Sequence, residues 1–177
     1  MKQPRKIYRI GGQGPNIKWR KNAGQEKRSI AEAIRIARAH GVRIPRDVVF
    51  FEAQPGELKG SFEDLFTGKV METARGPAVR ESPDGTISWA QHYNRFGKIP
   101  FLIHAEVLTS DEAIVAVLTH ELYEIERLRR VFRRSIARTM NASDYGLQVA
   151  PGRPGNFHDR AWDAADRAVL RMRKDLQ

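Results

Sequence analysis

The reading of the fold turns on Thr109-Ser110-Asp111-Glu112-Ala113-Ile114-Val115-Ala116-Val117-Leu118-Thr119-His120-Glu121-Leu122-Tyr123-Glu124-Ile125. Its first four residues start a helix. A hydroxyl side chain can cap free backbone N–H groups, and Asp111 and Glu112 fall in the first turn, where the helix dipole favours negative charge. Ile114, Leu118, Leu122 and Ile125, continued by Phe132 and Ile136, repeat at helical spacing and form one apolar stripe. Val115 and Val117 widen the apolar surface in the first half, so burial on more than one side is expected there. The pattern predicts a long helix from Asp111 to about Ala137.

Two polar residues interrupt this apolar segment. His120 and Glu124, four apart, lie one turn apart on one face and can aim at a single point. Glu121 is rotated by about 100° from His120 and sits beside that point. Polar groups on a deeply buried helix need partners. In this arrangement two helix residues hold a divalent metal and the intervening glutamate works on metal-bound water. The chain has no cysteine, so thiolate ligands, disulfides and cysteine nucleophiles are excluded. A third ligand is expected from Gly155-Asn156-Phe157-His158-Asp159, where His158 offers an imidazole. Asp159 is an alternative ligand or a partner orienting that imidazole, a role open also to Asp163 and Asp166. The plainer account of the same residues is a set of surface pairs, Glu124 with Arg127 and Glu126 with Arg130, and an acidic first turn at His158-Asp159.

Working outward, Glu26 to His40 reads as a helix with an apolar stripe and Gly41 as its stop. Val48 to Phe51 reads as a strand, and Ser82-Pro83-Asp84-Gly85 as a turn between two short strands. Ile99 to Leu108 reads as a further strand with Phe101, Ile103, Ala105 and Val107 on one face and His104 and Glu106 on the other. Ile7 to Ile10 is a candidate strand, and His92 and Tyr93 fall in a loop that could contact substrate. A last helix from about His158 to Lys174, capped by Asn156, offers Trp162, Ala165, Val169, Leu170 and Met172 for packing. Helix, several strands, long helix, loop and helix make an α+β layout, a small mixed or antiparallel sheet packed on a long central helix.

The strand at Ile99 to Leu108, followed at once by a capped helix bearing His-Glu, resembles the core of the zincin metallopeptidases. The resemblance covers roughly Ile99 to Asp166. It implies an edge strand along a substrate cleft, zinc or another divalent metal as cofactor, a protein or peptide substrate and metal-assisted hydrolysis. His120 and Glu124 would be the helix ligands, His158 the downstream ligand and Glu121 the base. The usual motif is His-Glu-x-x-His, and here Glu124 stands where the second histidine would be, which makes the metal a weaker Lewis acid. Divergent domains of this kind occur in phage-borne and polymorphic-toxin proteins, to which this sequence is similar.

Charge adds a second theme. The 177 residues carry 31 Lys and Arg against 21 Asp and Glu, a net +10, and the first 25 residues hold seven of the basic side chains and no acidic one. Without those seven, 24 basic residues face 21 acidic ones, a body of +3. The boundary is therefore drawn between a basic arm, 1–25, and a single catalytic-type domain, 26–177. Arg127, Arg130, Arg134 and Arg138 form a ridge on the long helix. Arm and ridge suit an acidic substrate, a nucleic acid or another polyanion. Two other readings follow: a nuclease or toxin module with His120, Glu121 and His158 as acid and base groups, and a non-catalytic nucleic-acid- or partner-binding domain. A resemblance of His158-Asp159 to all-helical His-Asp phosphohydrolases is opposed by the strands. No apolar run approaches the roughly 20 residues of a membrane span, and Met1 to Lys6 has no apolar run behind it. The expected location is the cytoplasm, or another cell's cytoplasm for a delivered toxin module.

Overall fold

Ser29-Ile30-Ala31-Glu32 places a hydroxyl three residues ahead of a glutamate, the arrangement that caps a helix start reciprocally. In the computed structural model, which describes residues 15–58, 60, 73–75, 80–82, 85–87, 98–131 and 157–177, helix α1 spans Ile30–Ala39. The Ser29 hydroxyl accepts from the Glu32 backbone N–H, and the Glu32 carboxylate accepts from the Ser29 N–H. This box sets the start at Ile30, four residues later than the expected Glu26. The helix ends where Gly41, at φ 83°, donates to the Arg38 carbonyl and Val42 donates to that of Ala37.

Five short strands are described: β1 Val48–Glu52, β2 Ala74–Arg75, β3 Arg80–Ser82, β4 Gly85–Ile87 and β5 Ile99–Ile103. β3 and β4 pair antiparallel with Ser82 opposite Gly85, on either side of the expected turn. The other three form a mixed sheet in the order β1-β5-β2, β5 parallel to β1 and antiparallel to β2. Pro100 sits in the middle strand without a ladder donor. Ile99 donates to Asp47 beside β1, so strand alternation turns Pro100 toward the other side, where β2 pairs only with Leu102 and Ile103.

β5 is shorter than its apolar pattern predicts. It ends at Ile103, and a 3₁₀ turn follows over Ala105–Thr109. His104 and Glu106 therefore do not share a strand face: the His104 Nδ1 accepts from the Glu106 N–H at 3.2 Å and caps the turn. All five β5 residues are buried, with Ile99, Phe101 and Ile103 in the main core and Leu102 in a second cluster with Ala53 and Leu58. Burial on both faces removes the polar alternation that marks a half-exposed strand.

From this turn the chain enters α2, Asp111–Val131, through Ser110. The Ser110 hydroxyl accepts from the Ala113 N–H and donates to the Arg20 carbonyl. Ala113 to Leu118 are all essentially inaccessible, the burial on several sides that Val115 and Val117 foretell. α2 packs against α1 and, most extensively, α3, Phe157–Asp175. From α3, Ala161, Trp162, Ala165, Ala168, Val169 and Met172 enter the core, whereas Leu170, expected to pack, is 47% exposed. The architecture is α+β, three helices with a small mixed sheet and a separate β3–β4 hairpin among the described residues. No helix among those residues is long and apolar enough to cross a membrane.

Part of the basic N-terminal segment belongs to this body. Trp19 is buried against Trp162, ring centroids 6.1 Å apart. Asn16 donates to Asp166, the Arg20 N–H to buried Glu112, and Asn22 to Asp111. Arg173 closes the join with bonds to both Glu112 oxygens and to the Lys18 carbonyl. The candidate strand at 7–10, the loop at His92 and Tyr93, the α2 extension beyond Val131 with Phe132, Arg134, Ile136 and Arg138, and the Asn156 cap lie outside the described residues.

Candidate metal centre

His120 and Glu124 come from α2 and His158 from the first turn of α3. The α2–α3 packing brings these three together, with one ligand atom from each lying within 4.8 Å of the other two. Glu124 Oε1 is the hub, 3.3 Å from His120 Nε2 and 3.0 Å from His158 Nδ1. At zinc–ligand distances of about 2.0–2.2 Å, neighbouring ligand atoms of a tetrahedral site are about 3.3–3.6 Å apart. Two edges of the triangle are thus already close to a zinc site's. The His120 and Glu124 side chains are 3% and 4% exposed, and that of His158 is 28% exposed, so solvent reaches the centre from the His158 side.

Trp162, one turn after His158, completes the group. Its ring lies against His120, centroids 4.0 Å apart, and its indole N–H donates to His158 Nε2 at 3.2 Å. The indole is only a donor, so Nε2 is the acceptor and the His158 proton sits on Nδ1, facing Glu124. The two imidazoles meet edge to face at 4.8 Å. Sequence reasoning placed Trp162 in the core and missed its contact with both imidazoles. The four-residue step from His158 to Trp162 was the available signal.

Burial pushes the His120 pKa below the usual imidazole value, against the pull of Glu124. Burial works the other way on Glu124, but charge attraction to His120 and hydrogen bonds from both imidazoles outweigh it and hold the carboxyl well below the usual range. The ionised carboxylate is in the state that a metal requires, and each neutral imidazole can turn a lone pair to it by moving its proton to the other ring nitrogen. The carboxylate also leaves negative charge in the core, which a cation would compensate. The His120 Nδ1 is buried with no hydrogen-bond partner among the described residues. With two imidazoles, one carboxylate, spare lone pairs and one open side, the residues fit a divalent metal of the zinc type.

The remaining candidates are placed as follows. Glu121 is buried beside His120 and Asp159 is buried beside His158; neither joins the converging triad. Asp163 is half-buried. Asp166 does not orient the imidazole: its Oδ2 accepts from the Asn16 backbone and side-chain N–H groups, and burial raises its pKa against those bonds. Glu124 pairs with the two histidines rather than Arg127, which lies over the Tyr123 ring at 5.0 Å. Arg130 is exposed and bonded to Glu126, as the four-residue spacing predicts.

No protein-family model matches this chain, and neither does any curated protein or solved structure.

Proposed function

We propose that this chain is a zinc-dependent hydrolase of metallopeptidase-like, zincin type, in which His120, Glu124 and His158 hold the metal and Glu121 is the general base. The convergence of two imidazoles and a carboxylate from two helices at one buried point carries this reading. A bound zinc ion supplies Lewis-acid polarisation of a scissile carbonyl and lowers the pKa of water. Glu121, adjacent to His120 on α2, takes the proton of the attacking water. His120, Glu124 and His158 would hold the metal, and a substrate would reach it from the exposed edge of His158. A protein or peptide is the proposed substrate.

Mass spectrometry of the purified protein is expected to find about one equivalent of zinc, absent from His120→Ala. Glu121→Gln is expected to retain the metal and lose hydrolysis by about 10²- to 10⁴-fold, the usual contribution of a positioned base. A wild-type protein that takes up no divalent metal rejects the site. An active Glu121→Gln variant rejects the mechanism alone.

A second reading has its own observation. Glu124 already accepts from both imidazoles and His158 from Trp162, so the group is also a connected hydrogen-bonded network without a metal. In that reading the basic residues carry function by binding nucleic acid or another polyanion. Metal-free protein with salt-sensitive nucleic-acid affinity, lost when Lys2, Arg5, Lys6 and Arg9 are neutralised, would favour it.

A further inference from the structure

His158 is asked for the same lone pair twice. A neutral imidazole has one N–H and one lone pair. Here the N–H on Nδ1 goes to Glu124 and the lone pair on Nε2 to the Trp162 indole N–H. Ligation through Nδ1 moves the proton to Nε2, where it meets the indole N–H, donor against donor. Ligation through Nε2 replaces the indole outright. Either route breaks the Trp162–His158 hydrogen bond.

The indole is also held in place. It is buried against the His120 ring and Trp19, and the α3 backbone keeps it one turn from His158. We infer that Trp162 is a positioning residue that competes with the metal for His158, holding the centre in a closed arrangement that a metal opens by displacing the indole N–H. This rests on the metal-site reading. It assigns to Trp162 a role beyond packing: it lowers metal affinity below what the three ligands alone would give, and it reports on occupancy.

Trp162→Phe keeps an aromatic ring in the core and removes the N–H. Its zinc Kd, measured by competition with a chromophoric chelator, is expected to be about fivefold lower than that of the wild type, the worth of one neutral hydrogen bond. In the wild-type protein the Trp162 indole proton resonance is expected to be protected from solvent exchange without metal and to shift when zinc binds. That measurement needs no variant and decides the matter alone if Trp162→Phe does not fold. An equal or higher Kd in the variant, or an indole resonance unmoved by one bound equivalent of zinc, overturns the role of Trp162 and leaves the metal site standing. Zinc bound by neither protein overturns both.

Discussion

His120 is pulled in opposite directions by its surroundings. Burial disfavours its protonated form and Glu124 favours it, with burial the stronger. The folded pKa therefore lies below the ordinary 6.5, and the unfolded chain takes up a proton that the folded chain resists. Stability of the metal-free protein should hold above pH 6.5 and fall as the pH drops from there toward the folded value. Urea unfolding midpoints between about pH 7 and pH 5 would show this slope, and it should be shallower in His120→Gln; equal slopes would remove His120 as the source. Glu124 has the same sign of dependence, over a lower pH range. Its lowered pKa contributes stability above the ordinary 4.5 that is lost only as the pH falls through the depressed value. The four-residue step from His120 to Glu124 was legible because both lie on one helix. That His158 gives its proton to Glu124 depends on the orientation of an indole from the next turn of another helix.

At the scale of the element, the start of α2 was legible from its capping hydroxyl and acidic first turn, whereas α1 starts behind the Ser29 cap and not at the expected Glu26. Ser110 shows the cost of missing one partner of such a cap. Its hydroxyl caps α2 and also donates to the Arg20 carbonyl, so one oxygen holds a helix end and a chain segment 90 residues away. Ser110→Ala should cost about 1–3 kcal/mol, more than the roughly 1 kcal/mol expected for Ser29→Ala at the exposed cap of α1. Denaturant titration of both variants tests the order; equal losses would mean that the Arg20 bond contributes nothing. The end of β5 was illegible for a related reason. Ala105 and Val107 continue the apolar alternation, but the His104 side chain captures the Glu106 N–H and the chain turns. Leu170 on α3 was misplaced because the helix buries its alanines closest to α2, leaving this leucine outside.

Across the whole molecule, the residues from 16 to 22 bind together the ends of two helices far apart in sequence. Glu112, buried at the start of α2, takes bonds from Arg20 and from Arg173 near the end of α3, while Trp19 backs the indole that touches both histidines. Trp19→Ala should cost about 3–5 kcal/mol, as expected for emptying a buried indole site. A thermal or urea unfolding series checks it; a loss below about 1 kcal/mol would show that this segment only rests on the domain. By itself the sequence determined the α+β class, the amphipathic helices, the two short strands flanking 83–84 and the His120-Glu124 step, because each rests on periodicity or on contacts within a turn or two. Only the tertiary structure decided the rest: the joining of His158 to that pair, the placing of Trp162 against both imidazoles, the anchoring of the basic segment and the diversion of Asp166 to Asn16. Apart from the Trp162–His158 bond within α3, those contacts join residues 34 to 155 positions apart, and helix packing, which leaves no local periodicity, brings them within bonding distance.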